Sequence, residues 1–273
     1  MLKNQSKDEK KNSSSTQVYP VDFLEKELFF KAIAKTKKED GKTVYKKVYG
    51  GVIPHHLLAS ELIADFFALL PKDSETVILL GPNHFEEGKF AVLTSDYAWE
   101  TPFGVIDADW GTVDVLKQDK LAQIDNEVVS QEHAIVGILP FLKYYLPETK
   151  VVPLIFSRRF SEGESRRLAK RLADLPGKKL ILSSLDFSHY LSFDEAEIKD
   201  RETQKAMKEF NYSEIFAFQN DHLDSPPALA VLLMTMEEIK QKNFQILEHA
   251  NSSRFSQEVR APMTSYFTLV FGQ

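Results

Sequence analysis

Three histidines in this chain each follow an apolar run that is typical of a buried strand. His55 comes after Gly-Val-Ile-Pro, His84 after Ile-Leu-Leu-Gly-Pro-Asn, and His189 after Ile-Leu-Ser-Ser-Leu-Asp-Phe-Ser. An imidazole can hold a metal ion or carry a proton near neutral pH. In an open α/β sheet, ligands bind in the crevice beside the carboxyl ends of the strands. The pattern therefore predicts one histidine-rich site at such an edge.

Asp224 could add a carboxylate to this site, since it stands in an Asp-Ser-Pro-Pro stretch directly before an apolar helical run. Two neutral imidazoles and one carboxylate leave open coordination positions and favour non-haem ferrous iron, while zinc and manganese accept related ligand sets. An alternative is that Asp224 or Ser225 is only the N-cap of the helix, with proline in its first turn.

Asp186 and His189 stand three residues apart after a run of Leu, Ile and Ser. We expect a tight turn or a first helical turn to bring both side chains to one side. The carboxylate would then orient the imidazole. The alternative is that Asp186 or Ser188 caps a helix and His189 has no role in the site.

Two further histidines are candidates for the same cleft. Glu132 and His133 open an apolar helical run, and the helix dipole explains the glutamate there. It does not explain His133, whose neutral form is favoured at a helix N-terminus and suits proton transfer near a substrate. Because adjacent residues point differently, we expect only one of His55 and His56 to face the site, with His56 solvating the turn.

The composition restricts the class of protein. The 273 residues include 43% hydrophobic residues, which is normal for a globular protein with a full core. The net charge of −6 argues against non-specific nucleic-acid binding. The chain has no cysteine, which excludes disulfides, iron–sulfur clusters and a thiol nucleophile. It also lacks the Gly-x-Ser-x-Gly, Walker and Gly-x-Gly-x-x-Gly motifs, so we expect a small-molecule substrate rather than a nucleotide.

The first residues differ in composition from the rest. Residues 1–18 are rich in Lys, Ser and Asn, which predicts a flexible tail ahead of a domain spanning residues 19–273. The chain has no apolar run long enough for a membrane-spanning helix and no signal-peptide core, so we expect a cytoplasmic protein. A polar tether that followed a removed membrane anchor would have the same composition.

Apolar runs and helical patterns alternate along the chain, which predicts a single α/β domain. The predicted strands are 44–53, 76–81, 90–95, 151–156, 179–184, 244–249 and 264–271. The predicted helices are 21–34, 57–70, 133–145, 162–175, 194–210 and 226–242.

Taken in order, these motifs resemble those of the Memo family, also labelled AmmeMemoRadiSam system protein B. The fold of that family is similar to that of class III extradiol ring-cleaving dioxygenases, so the resemblance implies a central mixed β-sheet flanked by helices. The match runs from about Val52 to the C-terminus. Its pieces are Val52-Ile-Pro-His55, Gly81-Pro-Asn-His84, Trp99-Glu-Thr-Pro-Phe-Gly104, Glu132-His-Ala-Ile135, Leu139-Pro-Phe141, Ser183-Ser-Leu-Asp-Phe-Ser-His189 and Asn251-Ser-Ser253.

The resemblance also implies roles for individual residues. His55 and His84 would be metal ligands. Asp186 and His189 would line the same cleft, and His133 would face the substrate position.

The third ligand of the family is commonly a cysteine, and this cysteine-free chain departs from the family there. The match places Asp224 at that point. A hard carboxylate in place of a soft thiolate shifts the metal preference from copper(I) toward iron(II), manganese(II) or zinc(II). It also restores the two-histidine, one-carboxylate set of the dioxygenase relatives.

The leading hypothesis is an iron(II) site at His55, His84 and Asp224, with His133 and His189 available for proton transfer. The reaction would be oxygen-dependent oxidation or ring cleavage of a small, phenolic substrate. The same ligands with zinc would instead suit a hydrolase. A third hypothesis is a non-catalytic module that recognises a peptide or a small anion, since the family name comes from a signalling-partner role.

Overall fold

The computed structural model describes residues 17–23, 25–36, 45–256 and 262–273. Its strands are β1 (Val18–Pro20), β2 (Val48–Ile53), β3 (Thr76–Pro82), β4 (Val92–Thr94), β5 (Ala98–Thr101), β6 (Gly104–Ile106), β7 (Gln123–Ile124), β8 (Lys150–Phe156), β9 (Lys179–Ser184), β10 (Phe187–Leu191), β11 (Phe244–Asn251) and β12 (Met263–Gly272). Its helices are α1 (Lys26–Lys35), α2 (Ser60–Ala68), α3 (Trp110–Gln118), α4 (Asn126–Gln131), α5 (His133–Val136), α6 (Leu139–Tyr145), α7 (Glu162–Ala173), α8 (Phe193–Glu209), α9 (Tyr212–Ala217) and α10 (Pro226–Glu238).

A large mixed sheet runs through the molecule in the order β10-β12-β2-β9-β3-β8-β4-β7, with β11 paired to β12. The four central strands β2, β9, β3 and β8 are parallel. Strands β12 and β4 pair antiparallel at either side of them. A smaller sheet joins β1, β5 and β6. The predicted single α/β domain with a mixed sheet flanked by helices is confirmed.

The central strands are buried on both faces, as parallel strands between two layers of helices are. All seven residues of β3 are buried. Ile78 and Leu80 face a core that contains α10 and α7, whereas Val77 and Leu79 face a core built on α2 and α6. This alternation is the two-residue period of a strand. In helix α10, every residue from Pro226 to Met236 is buried.

Two glycines allow close packing around the strand that leads to His55. A Cβ atom at Gly51 would lie 2.5 Å from the Leu269 carbonyl oxygen and 2.6 Å from the Phe66 ring. A Cβ atom at Gly50 would lie 2.6 Å from the Ile181 carbonyl oxygen. Glycine is therefore required for β12, β9 and α2 to approach β2 this closely.

An ion pair joins the amino ends of the central strands to α3. Asp109 caps α3 by accepting a hydrogen bond from the Thr112 N–H. Its carboxylate also accepts bonds from Thr76 Oγ1 at 2.7 Å and from Lys179 Nζ at 2.8 Å. Burial opposes ionisation, but these bonds outweigh it and hold the pKa of Asp109 well below its usual value.

Several predicted elements differ from the observed ones. The helix predicted at 133–145 is divided into α5 and α6. Pro140, near the start of α6, has no N–H to continue the hydrogen bonds of α5. The helix predicted at 21–34 begins at Lys26, and the strand predicted at 44–53 begins at Val48. The sequence patterns did not indicate β1, α9 or the short elements between Ala98 and Gln131.

Residues 1–16 of the predicted flexible tail lie outside the described residues, and Val18 pairs with Ala98 as part of β1. Among the helices that the structure describes, none has both the length and the apolar composition needed to cross a membrane.

Candidate metal centre

The carboxyl ends of three adjacent strands border a cleft of about 350 Å³. Strands β2, β9 and β3 are parallel neighbours, so their ends lie side by side. His55, Asp186 and His84 each follow the last residue of one of these strands by two positions. All three line the cleft. The sheet thus brings together residues that are up to 131 positions apart in sequence.

Three imidazoles form the centre of this cleft. The rings of His55 and His84 are 5.1 Å apart and nearly perpendicular. The ring of His133, at the start of α5, stacks on His84 at 4.2 Å and lies 5.2 Å from His55. One ring nitrogen of each of the three lies within 4.8 Å of those of the other two. His133 is thus close enough to serve as a ligand itself.

Asp224 reaches the same centre from the segment before α10. Its Oδ2 atom lies 3.4 Å from His55 Nε2 and 3.9 Å from His84 Nε2. Two backbone contacts hold it there: the Asp186 N–H donates to Asp224 Oδ2 at 3.0 Å, and the Asp224 N–H donates to the Asp186 carbonyl at 3.2 Å. Ser225, not Asp224, caps α10. The capping alternative therefore applies to the serine, and the Asp224 carboxylate faces the cleft.

The second carboxylate oxygen of Asp224, Oδ1, is buried. Within the described residues, Oδ1 has no hydrogen-bond partner. Burial and then the nearby charge of Asp186 raise the pKa of Asp224 well above its usual value. A buried carboxylate in this state is unfavourable unless a cation is bound beside it. Ligand atoms about 2.1 Å from one ion are separated by about 3.0–3.4 Å, close to the spacing of Asp224 and His55. The donor set fits a divalent metal ion.

Glu132 orients His84, a role that the sequence analysis missed. Its Oε1 accepts from His84 Nδ1 at 2.8 Å and its Oε2 from the His84 backbone N–H at 2.9 Å. It also accepts from the Ala134 N–H at 3.0 Å as the cap of α5. A neutral His84 that donates through Nδ1 presents the lone pair of Nε2 to the cleft. The signal was a glutamate directly beside His133, but helix capping alone was enough to explain it.

Asp186 holds the turn that carries the paired histidines. Its Oδ1 accepts from the backbone N–H groups of His55 at 3.1 Å and His56 at 3.5 Å, and its Oδ2 lies 3.6 Å from His55 Nε2. Neither Asp186 nor Ser188 caps a helix, because Ser188 donates instead to buried Asp200. His55 is buried and faces the centre, whereas exposed His56 lines the rim of the cleft and contacts the Tyr266 hydroxyl.

The turn predicted for residues 186–189 is wrong, because Phe187–Leu191 is strand β10. Its pairing with β12 is interrupted twice, once on each side of His189. His189 still lines the cleft, and its Nδ1 lies 3.3 Å from the Asn220 carbonyl. The irregular strand also places Tyr190, with a left-handed backbone and 77% exposure, at the mouth of the cleft.

Arg158 stabilises the segment that carries Asp224, and the sequence analysis missed it as well. It follows the fourth parallel strand, β8, and lines the cleft. Its Nη2 donates to the Asp224 carbonyl at 3.0 Å and contacts the side chain of Asn220. The signal available was a pair of arginines directly after a buried strand.

The imidazoles of the cleft differ in the direction of their pKa shifts. Burial, followed by repulsion from His84 and His133, lowers the pKa of His55 well below its usual value. Burial also lowers the pKa of His133 and of His189. Burial acts on His84 in the same direction, but the bond and charge of Glu132 outweigh it and raise the pKa of His84. The lowered pKa values of His55, His133 and His189 favour the neutral imidazole, the form that can bind a metal ion or accept a proton.

A model of the Memo-like protein family matches residues 13–270. This chain belongs to the Memo family. Two relatives are MEMO1 family proteins. That of Pyrobaculum aerophilum is 26% identical over 214 residues, covering 74% of this chain and 76% of the relative. That of Aquifex aeolicus is 34% identical over 146 residues, covering 52% and 54%. The resemblance inferred from the motifs is confirmed.

The fold also has a counterpart among solved structures. An uncharacterised protein from Escherichia coli K12 superposes with a TM-score of 0.55 and 11% sequence identity, covering 83% of this Memo family chain and 100% of the other. A likeness at this identity shows the shared fold.

A second group of donor side chains lies outside the cleft of this Memo family protein. Glu197, Asp200 and His249 lie close enough to hold an ion. However, Asp200 accepts from His249 Nε2 at 2.7 Å and from Ser188 Oγ, so both of its oxygens have partners within the protein. This cluster is a structural link between α8, β10 and β11.

Proposed function

We propose that this protein binds one divalent metal ion through His55, His84 and Asp224. The observation that carries the proposal is the buried Asp224 carboxylate, which faces two imidazoles and leaves Oδ1 without a hydrogen bond within the described residues. A cation would compensate this carboxylate. His133 is a further donor within reach, since its ring nitrogen belongs to the same cluster.

We further propose that the ion is iron(II) and that the reaction is oxygen-dependent oxidation or ring cleavage of a small phenolic substrate. Two imidazoles and a carboxylate with open positions favour non-haem iron(II) over copper(I), which prefers sulfur ligands that this chain lacks. When bound, iron(II) would supply the one-electron chemistry that reaction with dioxygen requires.

The surrounding side chains support proton transfer to and from such a substrate. His133 and His189 line the cleft, and burial lowers the pKa of each, so both are neutral at neutral pH. A neutral imidazole can accept the proton of a phenolic hydroxyl. The contacts of Asp186 with the backbone N–H groups of His55 and His56 support a positioning role for this residue.

The test is metal analysis of protein purified without oxygen and reconstituted with ferrous iron. We expect about one iron per chain in the wild type, loss of iron in His55→Ala and Asp224→Asn, and retention in Asp194→Asn, which removes an exposed carboxylate. Oxygen uptake with catechols would then support the oxidation.

Three results would contradict the proposal in different ways. An absence of bound metal in the wild type would remove its basis. Iron that persists in Asp224→Asn would exclude Asp224 as a ligand and favour His133. Binding of zinc alone, with ester hydrolysis and no oxygen uptake, would replace the oxidation by metal-dependent hydrolysis.

A further inference from the structure

A second groove lies at the opposite edge of the sheet, where β2 and β9 begin, and it has a volume of about 460 Å³. This size is within the range of small-molecule sites. Its floor is apolar and combines residues from α7, β9 and the end of α10. The apolar residues of the floor are Leu172, Leu175, Ile181 and Ile239.

The rim of this groove is basic, although the whole chain has a net charge of −6. Among the described residues, four lysines and one acidic residue, Asp73, line it. Lys179 is neutralised by the Asp109 carboxylate, and Lys178 pairs with Asp73 at 2.6 Å. Lys46 and Lys47 are exposed, and neither forms an ion pair with a described residue. The groove therefore combines an apolar floor with two exposed lysines that form no ion pair with a described residue, although, after the hydrogen bond from Lys178, the charge of Lys47 also lowers the pKa of nearby Asp73.

These two lysines stand on an ordered backbone. The Lys46 N–H donates to the Gln273 carbonyl at 2.7 Å, and the Gln273 N–H donates to the Lys47 carbonyl at 2.9 Å. The Lys47 ammonium also lies 4.7 Å from the centre of the Tyr49 ring, which itself lines the groove. The backbone that carries both lysines is therefore held in place before an anion binds.

We propose that this groove is a binding site for a small organic anion with an apolar body, such as an aromatic sulfonate or carboxylate. The apolar body packs on the floor, and Lys46 and Lys47 hold the anionic group at the rim. Asp73 opposes binding, because its negative charge repels the anion and because it pairs with Lys178. The site is independent of the metal centre, which lies at the other edge of the sheet.

The test is a titration of the whole chain with 8-anilinonaphthalene-1-sulfonate, an aromatic anion that fluoresces in apolar surroundings. We expect saturable binding that is about tenfold weaker in the double variant Lys46→Ala/Lys47→Ala. Lys26→Ala/Lys31→Ala removes two exposed lysines from α1 and the same charge, and we expect no change there. We expect Asp73→Asn to bind several-fold more tightly with an unchanged urea unfolding midpoint, which separates the charge effect from the exposure of apolar surface in a damaged fold.

Uncharged N-phenyl-1-naphthylamine shows whether the charge matters, and it should bind at least tenfold more weakly than the sulfonate. Equal binding of the two probes, or equal affinity in the wild type and in Lys46→Ala/Lys47→Ala, would overturn the proposal. Binding of the sulfonate that does not saturate would also overturn the proposal. Metal content measured on the same samples tests the cleft separately, so the two proposals can fail independently.

Discussion

Replacing Glu132 by glutamine tests whether the histidine cluster depends on its buried support. Glu132 is 1% exposed and accepts three hydrogen bonds, from the backbone N–H and Nδ1 of His84 and from the Ala134 N–H. Both of its oxygens accept, whereas an amide has only one oxygen. In Glu132→Gln the NH₂ group must face an N–H donor, and at least one bond is lost.

The size of the effect follows from these contacts. A hydrogen bond to a buried charged group contributes about 1.5–3 kcal/mol, so we expect Glu132→Gln to lower the free energy of unfolding by about 2–3 kcal/mol. Loss of a partner that orients a metal-ligating histidine weakens metal binding by about 10–100-fold. That range corresponds to about 1.4–2.7 kcal/mol of binding free energy.

The pKa of His84 gives a third, independent measurement in metal-free protein. Burial lowers this pKa, but the hydrogen bond and the charge of Glu132 raise it by more. We therefore expect the pKa of His84 to fall in Glu132→Gln. A histidine with a raised pKa stabilises the fold below its unfolded pKa of about 6.5, and this contribution is lost as the pH rises through the folded value. The destabilisation in Glu132→Gln should thus be larger near about pH 6 than near about pH 9.

The assays are urea unfolding, metal titration, and NMR titration of the His84 ring. Glu127→Gln is the matched control, because Glu127 is an exposed glutamate in the first turn of α4. We expect its values to equal those of the wild type. The reasoning is refuted if Glu132→Gln binds metal as tightly as the wild type and the His84 pKa is unchanged.

Three further predictions concern other parts of the fold. Asp109→Asn should lower the free energy of unfolding by about 2 kcal/mol at pH 7, because it breaks a bond to Lys179. The pKa of Asp109 is lowered in the fold, so its carboxylate stabilises the folded state fully above the unfolded pKa of about 3.9. This contribution declines as the pH falls below that value toward the folded pKa. Urea unfolding near about pH 2 should therefore show a smaller difference between Asp109→Asn and the wild type. Gly51→Ala should cost about 1–3 kcal/mol in the same assay, since its Cβ would overlap a backbone carbonyl. Ser225→Ala should cost about 1 kcal/mol through loss of the α10 cap yet retain metal, whereas Asp224→Asn should lose it; equal metal loss in both would contradict the distinction.

The sequence predicted the parts of the fold that depend on long apolar runs. The central strands around Val77, Val152 and Leu180 were assigned because buried parallel strands are continuous in Val, Ile and Leu. His55 and His84 were expected at one edge because both follow such strands. The structure brings them together because β9 alone separates β2 from β3.

Spacing in the sequence could not predict the local shape around His189. The pattern Asp-Phe-Ser-His suits a turn or the first turn of a helix equally well. In the structure, Phe187 pairs with Ser265 and His189 with Thr264, so one extra residue is inserted into β10. Such a bulge depends on pairing with a strand that is about 75 positions distant in sequence. Local patterns contain no information about that pairing.

Three buried carboxylates contact the histidines of the cleft, and they differ in how many N–H groups they accept. Glu132 accepts three N–H groups and Oδ1 of Asp186 accepts two, so both are held in place by the backbone that they help to order. Asp224 receives one N–H on Oδ2, and within the described residues its Oδ1 receives nothing. A cation would compensate a buried carboxylate that few N–H groups reach, whereas N–H groups already compensate the other two carboxylates. This difference supports Asp224 as the proposed metal ligand, and it supports positioning roles for Glu132 at His84 and for Asp186 at His55.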